Sequence, residues 1–276
     1  MNGNDGMVKV LYTTVLGRMI LKSIHLFRLD RLIICFLKSR WSVPYLKWYM
    51  KRYGIISGDE ESYRSFHAFF SRKKKLADID VTPEHLISPC DGWLSVYRVT
   101  QSSVFYIKGT YYRVEDFLKD NTLAKNYDGG TCLVFRLCPY DYHHYIYIDN
   151  GYQGRNHFIP GTLHSVQPIA CSTYPVYTQN RRSWCLLTTE NFGPVVQAEI
   201  GALIVGGIVN HRENAHVHKG MEKGRFELAG STIVLLFEPG RIRLLSGLKE
   251  KLSEDREVRV EMGQWIGNAF KNKRSN

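Results

Sequence analysis

The chain has 276 residues, with 37 Lys+Arg against 26 Asp+Glu and a formal charge of +11. At 44% hydrophobic and 23% charged residues, it has an ordinary globular composition, which excludes a disordered, collagenous or coiled-coil chain. No apolar run reaches the roughly 18–20 residues that a membrane-spanning helix needs, because Lys9, Arg18, Lys22, Arg28, Arg31 and Lys38 interrupt every candidate.

The first residues carry Asp5 and lack the basic start and small-residue cleavage site of a secretory signal. The six cysteines (Cys35, Cys90, Cys132, Cys138, Cys171 and Cys185) form no C-x-x-C pair, which predicts a reduced intracellular protein. Residues 7–52 hold ten basic residues and one acidic residue, Asp30, so most of the net charge lies there. In the same segment Val8, Leu11, Val15 and Met19, then Leu29, Ile33 and Phe36, then Val43, Leu46 and Met50 recur at helical spacing. Basic amphipathic helices are predicted. Trp41, Tyr45, Trp48 and Tyr49 add rings suited to the lipid headgroup level. On composition two readings stand equal: an anchor on an anionic membrane surface, or a helical cap packed on the core with a solvated basic face. No nucleic-acid-binding motif accompanies the charge.

Ser57 to Asp59 read as a linker leading into a short aromatic helix through Phe66, Phe69 and Phe70. Beyond it, runs such as WLSVYRV, CLVFRL, HHYIYI, SWCLLTT, VVQAEI and STIVLLF are punctuated by Gly, Pro, Asn and Asp and read as strands. VEDFLKD and SGLKEKLSED read as helices. The predicted class is α+β: a basic amphipathic helical region at 1–56, the candidate for membrane association, then a β-rich body at 57–276.

No P-loop, G-x-S-x-G elbow, H-E-x-x-H or G-x-G-x-x-G occurs. His211, His216 and His218 come nearest to a metal-ligand cluster, but their charged neighbours favour a polar surface loop, so no metal is assigned. The informative stretch is KGMEKGRFELAGSTIVLLFEPG, residues 219–240. A glycine-serine step opening a strand is common, but K-G-x-E-x-G-x-F-x-x-x-G-S-T before an apolar strand resembles the self-cleavage site of phosphatidylserine decarboxylases. SPCDG at 88–92, IKGTYYRVEDFL, CPYDYHHY, IPGTLHSVQP, the QNRR around Asn180, TTENFGPV, the EIGALIVGGI run and FHAFFSRKKK match other segments of that family in order. The resemblance spans about residues 10–245.

The resemblance implies self-cleavage between Gly230 and Ser231, giving chains 1–230 and 231–276, with Ser231 becoming a pyruvoyl group. Chemically, the serine hydroxyl attacks the unhindered glycine carbonyl, an ester replaces the amide, and elimination leaves the precursor of the ketone. That ketone condenses with the amine of phosphatidylserine and takes up the electron pair released as carbon dioxide departs, with no metal. Asp91 resembles the family's orienting carboxylate, although alone it reads as an ordinary Asp-Gly turn. His143 matches the histidine implied in decarboxylation. The family's second histidine, its implied base for self-cleavage, is replaced by Ile146. If the segment is extended, His144 shares a face with position 146, so His144 is the local candidate to assist Ser231, with His211 an outside one. The resemblance further implies a phosphatidylserine substrate, peripheral attachment to the cytoplasmic face of the membrane and a homodimer. A non-catalytic membrane-binding homologue and a pyruvoyl decarboxylase of another serine-containing or amino-acid substrate are the alternatives.

Overall fold

A computed structural model describes residues 9–26, 29–55, 63–73, 79–100, 104–107, 110–172, 174–202, 207–228, 231–255 and 257–270. The predicted turn at Ser57–Asp59, the end of the basic run after Lys73 and Gly230 itself lie outside the described residues. Seventeen strands are described: β1 (His85–Ile87), β2 (Gly92–Arg98), β3 (Val104–Ile107), β4 (Thr110–Arg113), β5 (Thr131–Leu137), β6 (His144–Ile146), β7 (Gly151–Gln153), β8 (His157–Ile159), β9 (Arg182–Thr189), β10 (Gly193–Ile200), β11 (Gly207–Asn210), β12 (Ala215–Val217), β13 (Glu222–Glu227), β14 (Ser231–Phe237), β15 (Ile242–Leu244), β16 (Val258–Val260) and β17 (Trp265–Ala269).

The main sheet is antiparallel in the order β12-β7-β9-β10-β14-β5-β2-β16, with β8 beside β9. Its interior strands read as continuous apolar runs because both faces are covered; all seven residues of β14 are buried. Smaller sheets, β11-β13-β6, β1-β17-β15 and β3-β4, accompany the main sheet. The α+β class and the β-rich body predicted from the sequence are therefore present. Between the sheets a single apolar core runs through Phe135, Tyr145, Val196, Phe226 and Leu235.

Among the helices that precede the body in the described residues are α1 (Val15–Leu26), α2 (Leu29–Lys38) and α3 (Val43–Tyr53). The last begins with Pro44 in its first turn and stops at Gly54, whose left-handed backbone (φ +61) closes the helix. A short helix, α4 (Phe66–Phe70), follows, and the Ser65 hydroxyl caps it by accepting the Ala68 N–H. Leu37, Leu46, Tyr49 and Met50 bury against Phe66, Phe69, Phe70 and Leu228, and the buried Ser42 hydroxyl accepts the Phe66 N–H at 2.8 Å. Tyr12, fully buried, accepts the Ser165 N–H at 2.7 Å.

One side of the helical region packs on the body, as the helical-cap reading expects. Its other side leaves Val15, Leu16, Met19, Leu32, Phe36, Trp41 and Trp48 exposed, Trp41 to 73%. Among the described residues no helix is long and apolar enough to cross a membrane.

Phe69 is 1% exposed at the centre of the cluster that joins the helices to Leu228. Phe69→Ala is expected to lower the unfolding free energy by about 3–5 kcal/mol, read as a reduced denaturant midpoint.

Candidate active site

Ser231 is the first residue of β14, where the chain enters the middle of the main sheet opposite Leu137 of β5. Its side chain is fully buried, and among the described residues its Oγ has no hydrogen-bond partner. The same holds for Thr232 Oγ1. Buried hydroxyls normally find a partner, so these two are exceptions at the head of the strand, and because adjacent strand residues alternate they lie one on each face of the sheet.

The turn holding Asp91 is tied on three sides. Ser88 Oγ donates to the Cys90 carbonyl at 2.7 Å, Pro89 O accepts the Ile146 N–H at 2.9 Å, and Asp91 Oδ1 accepts the Met262 N–H at 2.9 Å. At Gly92 a Cβ would lie 2.8 Å from the Arg136 carbonyl, so only glycine lets β2 approach β5 this closely. Position 146 therefore packs directly on the Asp91 turn, but here it carries an apolar side chain, 1% exposed. Arg72, Arg259 and Asp141 add charge around Asp91. Asp141 pairs with Arg259 at 2.7 Å and accepts the Cys138 N–H at 2.6 Å, yet burial outweighs both and leaves its carboxyl raised above the ordinary carboxylate value.

His143 is fully buried. Its Nδ1 faces the Asp141 carbonyl at 2.9 Å; because a carbonyl only accepts, Nδ1 carries the proton and Nε2 keeps its lone pair. Among the described residues Nε2 has no partner. The ring lies 4.1 Å from that of Phe70, and burial, reinforced by Arg72 and His144, pushes its pKa down from 6.5 to about 3. His143 is therefore a neutral imidazole with one free nitrogen.

His144 is placed differently from the sequence expectation. Its Nδ1 meets Glu222 Oε1 at 2.9 Å and its Nε2 the Ser71 carbonyl at 3.3 Å, with the ring stacked on Tyr142. No hydrogen bond joins it to Ser231 among the described residues. Alternation along β6 says which face a side chain takes, but the long-range partner on that face is Glu222, 78 residues away. His211 shares that carboxylate at 3.0 Å, and among the described residues no group of His, Cys, Asp and Glu is arranged to hold a metal. Burial raises the Glu222 carboxyl, but hydrogen bonds from His211 and His144 overcome this and leave it below its ordinary value.

The sequence reading missed a buried polar group on the sheet face. Glu199 (β10) and Lys223 (β13), both fully buried, pair at 2.7 Å. Asn210 bridges them, accepting from Lys223 at 2.9 Å and donating to Glu199 at 3.1 Å. Only Glu199, a charge in the otherwise apolar stretch of β10, left a signal in the sequence; Lys223 lies in the charged run EKGRFE and left none.

Other matched segments are structural. Asn180 Nδ2 donates to the His164 and Gly201 carbonyls, and the fully buried Arg182 donates to the carbonyls of Asp116, Phe117, Thr178 and Asn180. None of the six cysteines is in a disulfide.

Residues 66–268 match the family described as phosphatidylserine decarboxylase. The chain is 40% identical over 268 residues to phosphatidylserine decarboxylase proenzyme 2 of Clostridium acetobutylicum, covering 95% of this chain and 92% of that one. It is 38% identical over 241 residues to the phosphatidylserine decarboxylase proenzyme of Clostridium kluyveri, covering 84% and 81%. With that of Ruminiclostridium cellulolyticum it shares 34% over 274 residues, covering 96% and 91%.

The His143 geometry has a pH consequence. In the unfolded chain this imidazole takes a proton below about 6.5; in the folded chain it does so only near 3. The unfolded state therefore binds more protons in that window, and stability rises with pH across it, by up to about 1.4 kcal/mol per pH unit from this residue. In urea unfolding between pH 4 and 7, His143→Phe is expected to show a shallower rise than the wild type.

Proposed function

The chain belongs to the phosphatidylserine decarboxylase family, and on that premise we propose that it cuts itself between Gly230 and Ser231 and then converts phosphatidylserine to phosphatidylethanolamine and carbon dioxide. The observation that carries this reading is the buried, unpartnered Ser231 hydroxyl at the head of a central strand. A serine so placed contributes nothing to the core. A nucleophile needs exclusion from water and a short list of competing contacts.

A pyruvoyl group formed from Ser231 would sit at a fully buried position whose own Oγ has no hydrogen-bond partner among the described residues, and the buried Gln197, on the same sheet face, offers amide atoms that no described residue engages. Such a group supplies an electrophilic carbonyl that takes up the electrons released with carbon dioxide. The protein's own residues supply the rest. His143, held neutral by burial and oriented by the Asp141 carbonyl, is the group that holds or moves a proton at the substrate's α-carbon through Nε2. Asp91 holds the turn against Met262 and, with Arg72 and Arg259, sets the charge around it. His144 holds Ser71, at the end of the aromatic helix, against Glu222.

Cutting would not release the small chain. β14 stays hydrogen-bonded between β10 and β5, and residues 231–276 carry Arg259, Glu257 and Met262, which pair with Asp141, Arg136 and Asp91 of the large chain.

For location we infer a peripheral position on an anionic membrane at its cytoplasmic face, as a homodimer. Support for the membrane surface comes from the exposed Val15, Leu16, Met19, Leu32, Phe36, Trp41 and Trp48, interleaved with the basic residues of segment 7–52.

Intact mass under denaturing conditions tests the enzyme reading. Two chains, 1–230 and 231–276, are expected, the smaller one lighter than its serine form by the elements of ammonia, and Ser231→Ala is expected to remain one chain. A single uncut wild-type mass would sink it. The membrane reading is tested with vesicles: binding to anionic lipid should weaken as salt shortens the Debye length below about 8 Å, and Trp41→Ala with Trp48→Ala should reduce it further. Equal binding to neutral and anionic vesicles would exclude the electrostatic part.

A further inference from the structure

We propose that the buried Glu199–Lys223 pair handles the protons of self-cleavage at Ser231, in place of the histidine absent at position 146. The inference rests on the self-cleavage reading above and adds the residues that serve it.

The strand register brings the pair to the serine. In an antiparallel ladder facing residues point to the same side, and so do residues two apart on one strand. Glu199 faces Ile233, and Ile233 is two residues from Ser231. Glu199 and Ser231 therefore share one face of the main sheet as diagonal neighbours about 7–8 Å apart at the backbone. A glutamate side chain and one bridging water span that gap. Thr232, opposite Ile200 and Arg136, points to the other face.

Lys223 arrives from the side where the histidine is missing. Glu222 faces Ile146 and Gly224 faces Tyr145, so Lys223 is the extra residue of a β-bulge beside position 146. The bulge turns a cation inward: Lys223 Nζ reaches Glu199 Oε1 and Asn210 Oδ1, the Tyr145 hydroxyl also donates to Asn210 Oδ1 at 3.0 Å, and Asn210 Nδ2 reaches Ser183 Oγ at 3.2 Å. On the same face, Gln197 is fully buried with neither amide atom partnered among the described residues, so that face has polar capacity beyond the pair.

A fully buried ion pair is commonly no more stabilising than well-packed apolar residues of the same volume, so stability alone does not account for its presence. Burial raises the proton affinity of the Glu199 carboxylate. Burial opposes charge on Lys223, but Cys185 and Glu199 outweigh it and keep the ammonium. One partner is disposed to take a proton and the other holds one to give.

The steps balance. The Ser231 Oγ proton passes through water to Glu199 as Oγ bonds to the Gly230 carbonyl carbon. The bond from that carbon to the Ser231 nitrogen breaks, and the nitrogen takes a proton from Lys223. The neutral Lys223 amine then removes the Ser231 α-proton while the Cβ–Oγ bond breaks, its electron pair leaving with the Gly230 carboxylate. Water converts the resulting enamine to the ketone and releases ammonia.

The test is a cleavage time course on the full chain, with folding checked by circular dichroism and thermal melting. The double variant Glu199→Leu/Lys223→Met removes both charges at once and keeps the core apolar, so it is expected to fold yet be cut at least about 100-fold more slowly, the usual contribution of a positioned acid or base. Adding Ile146→His is expected to restore cutting, which a merely structural role would not allow. A folded double variant cut at the wild-type rate overturns the proposal, as does a folded triple variant that stays uncut. If the double variant fails to fold, the near-isosteric Glu199→Gln is read in the same way: slow cutting supports the proposal and normal cutting overturns it. An uncut wild type would sink the self-cleavage reading itself, an outcome distinct from a cut wild type with a cut variant.

Discussion

The structure depends on β14 being an interior strand whose first residue is polar. STIVLLF is buried along its whole length, so its backbone donors and acceptors must be met on both edges. β10 and β5 meet them with registers that run from Thr232 and Ser231 respectively to Phe237. Once those ladders are set, the direction of every side chain along the strand is set too. Ser231 is carried to the face it shares with Glu199, and a slip of one residue would exchange it with Thr232. The apolar strand therefore fixes the chemistry at its head.

The same strand would keep the chain folded if it were cut before residue 231. A cut before residue 231 leaves β14 with all its lateral hydrogen bonds, and the segment after it returns to the body through β16 on β2 and β17 on β1. The Arg136–Glu257 pair, at 2.9 Å and largely shielded from solvent, and the Arg259–Asp141 pair hold that segment from two directions. The contact between the Asp91 turn and Met262 N–H belongs to the same set. The residues around the Asp91 turn are thus drawn from both sides of position 231.

Much of this was legible in the sequence, for identifiable reasons. Long β-branched and aromatic runs became β5, β9, β10 and β14 because burial on both faces leaves a local mark. The three-residue strands β7, β8, β12 and β15 leave none, since their pairing is decided by partners far along the chain. The site divided in the same way. Ser231, Asp91 and His143 were assigned through motif resemblance, and the structure ties position 146 to the turn that holds Asp91. The orientation of His144 was not legible, because alternation along a strand names a face and not a partner. Glu199 and Lys223 lie 24 residues apart, and only the folded register reveals them as a pair.

The helical region bears on the chemistry through one aromatic contact. Phe70, 2% exposed, belongs to the cluster that docks Leu37, Leu46, Tyr49 and Met50 on the body, and its ring lies against His143. The neutrality of His143 comes chiefly from burial, and this helix supplies part of that burial. Arg72, two residues on, places its guanidinium 4.1 Å from the Phe69 ring and adds positive charge near the imidazole. Trp41 and Trp48 stand exposed beside α3 and on it, the helix that carries Leu46, Tyr49 and Met50 inward. A surface that engages those tryptophans therefore bears on the helix against which the Phe66–Phe70 helix packs, and the Phe70 ring of that short helix lies on His143.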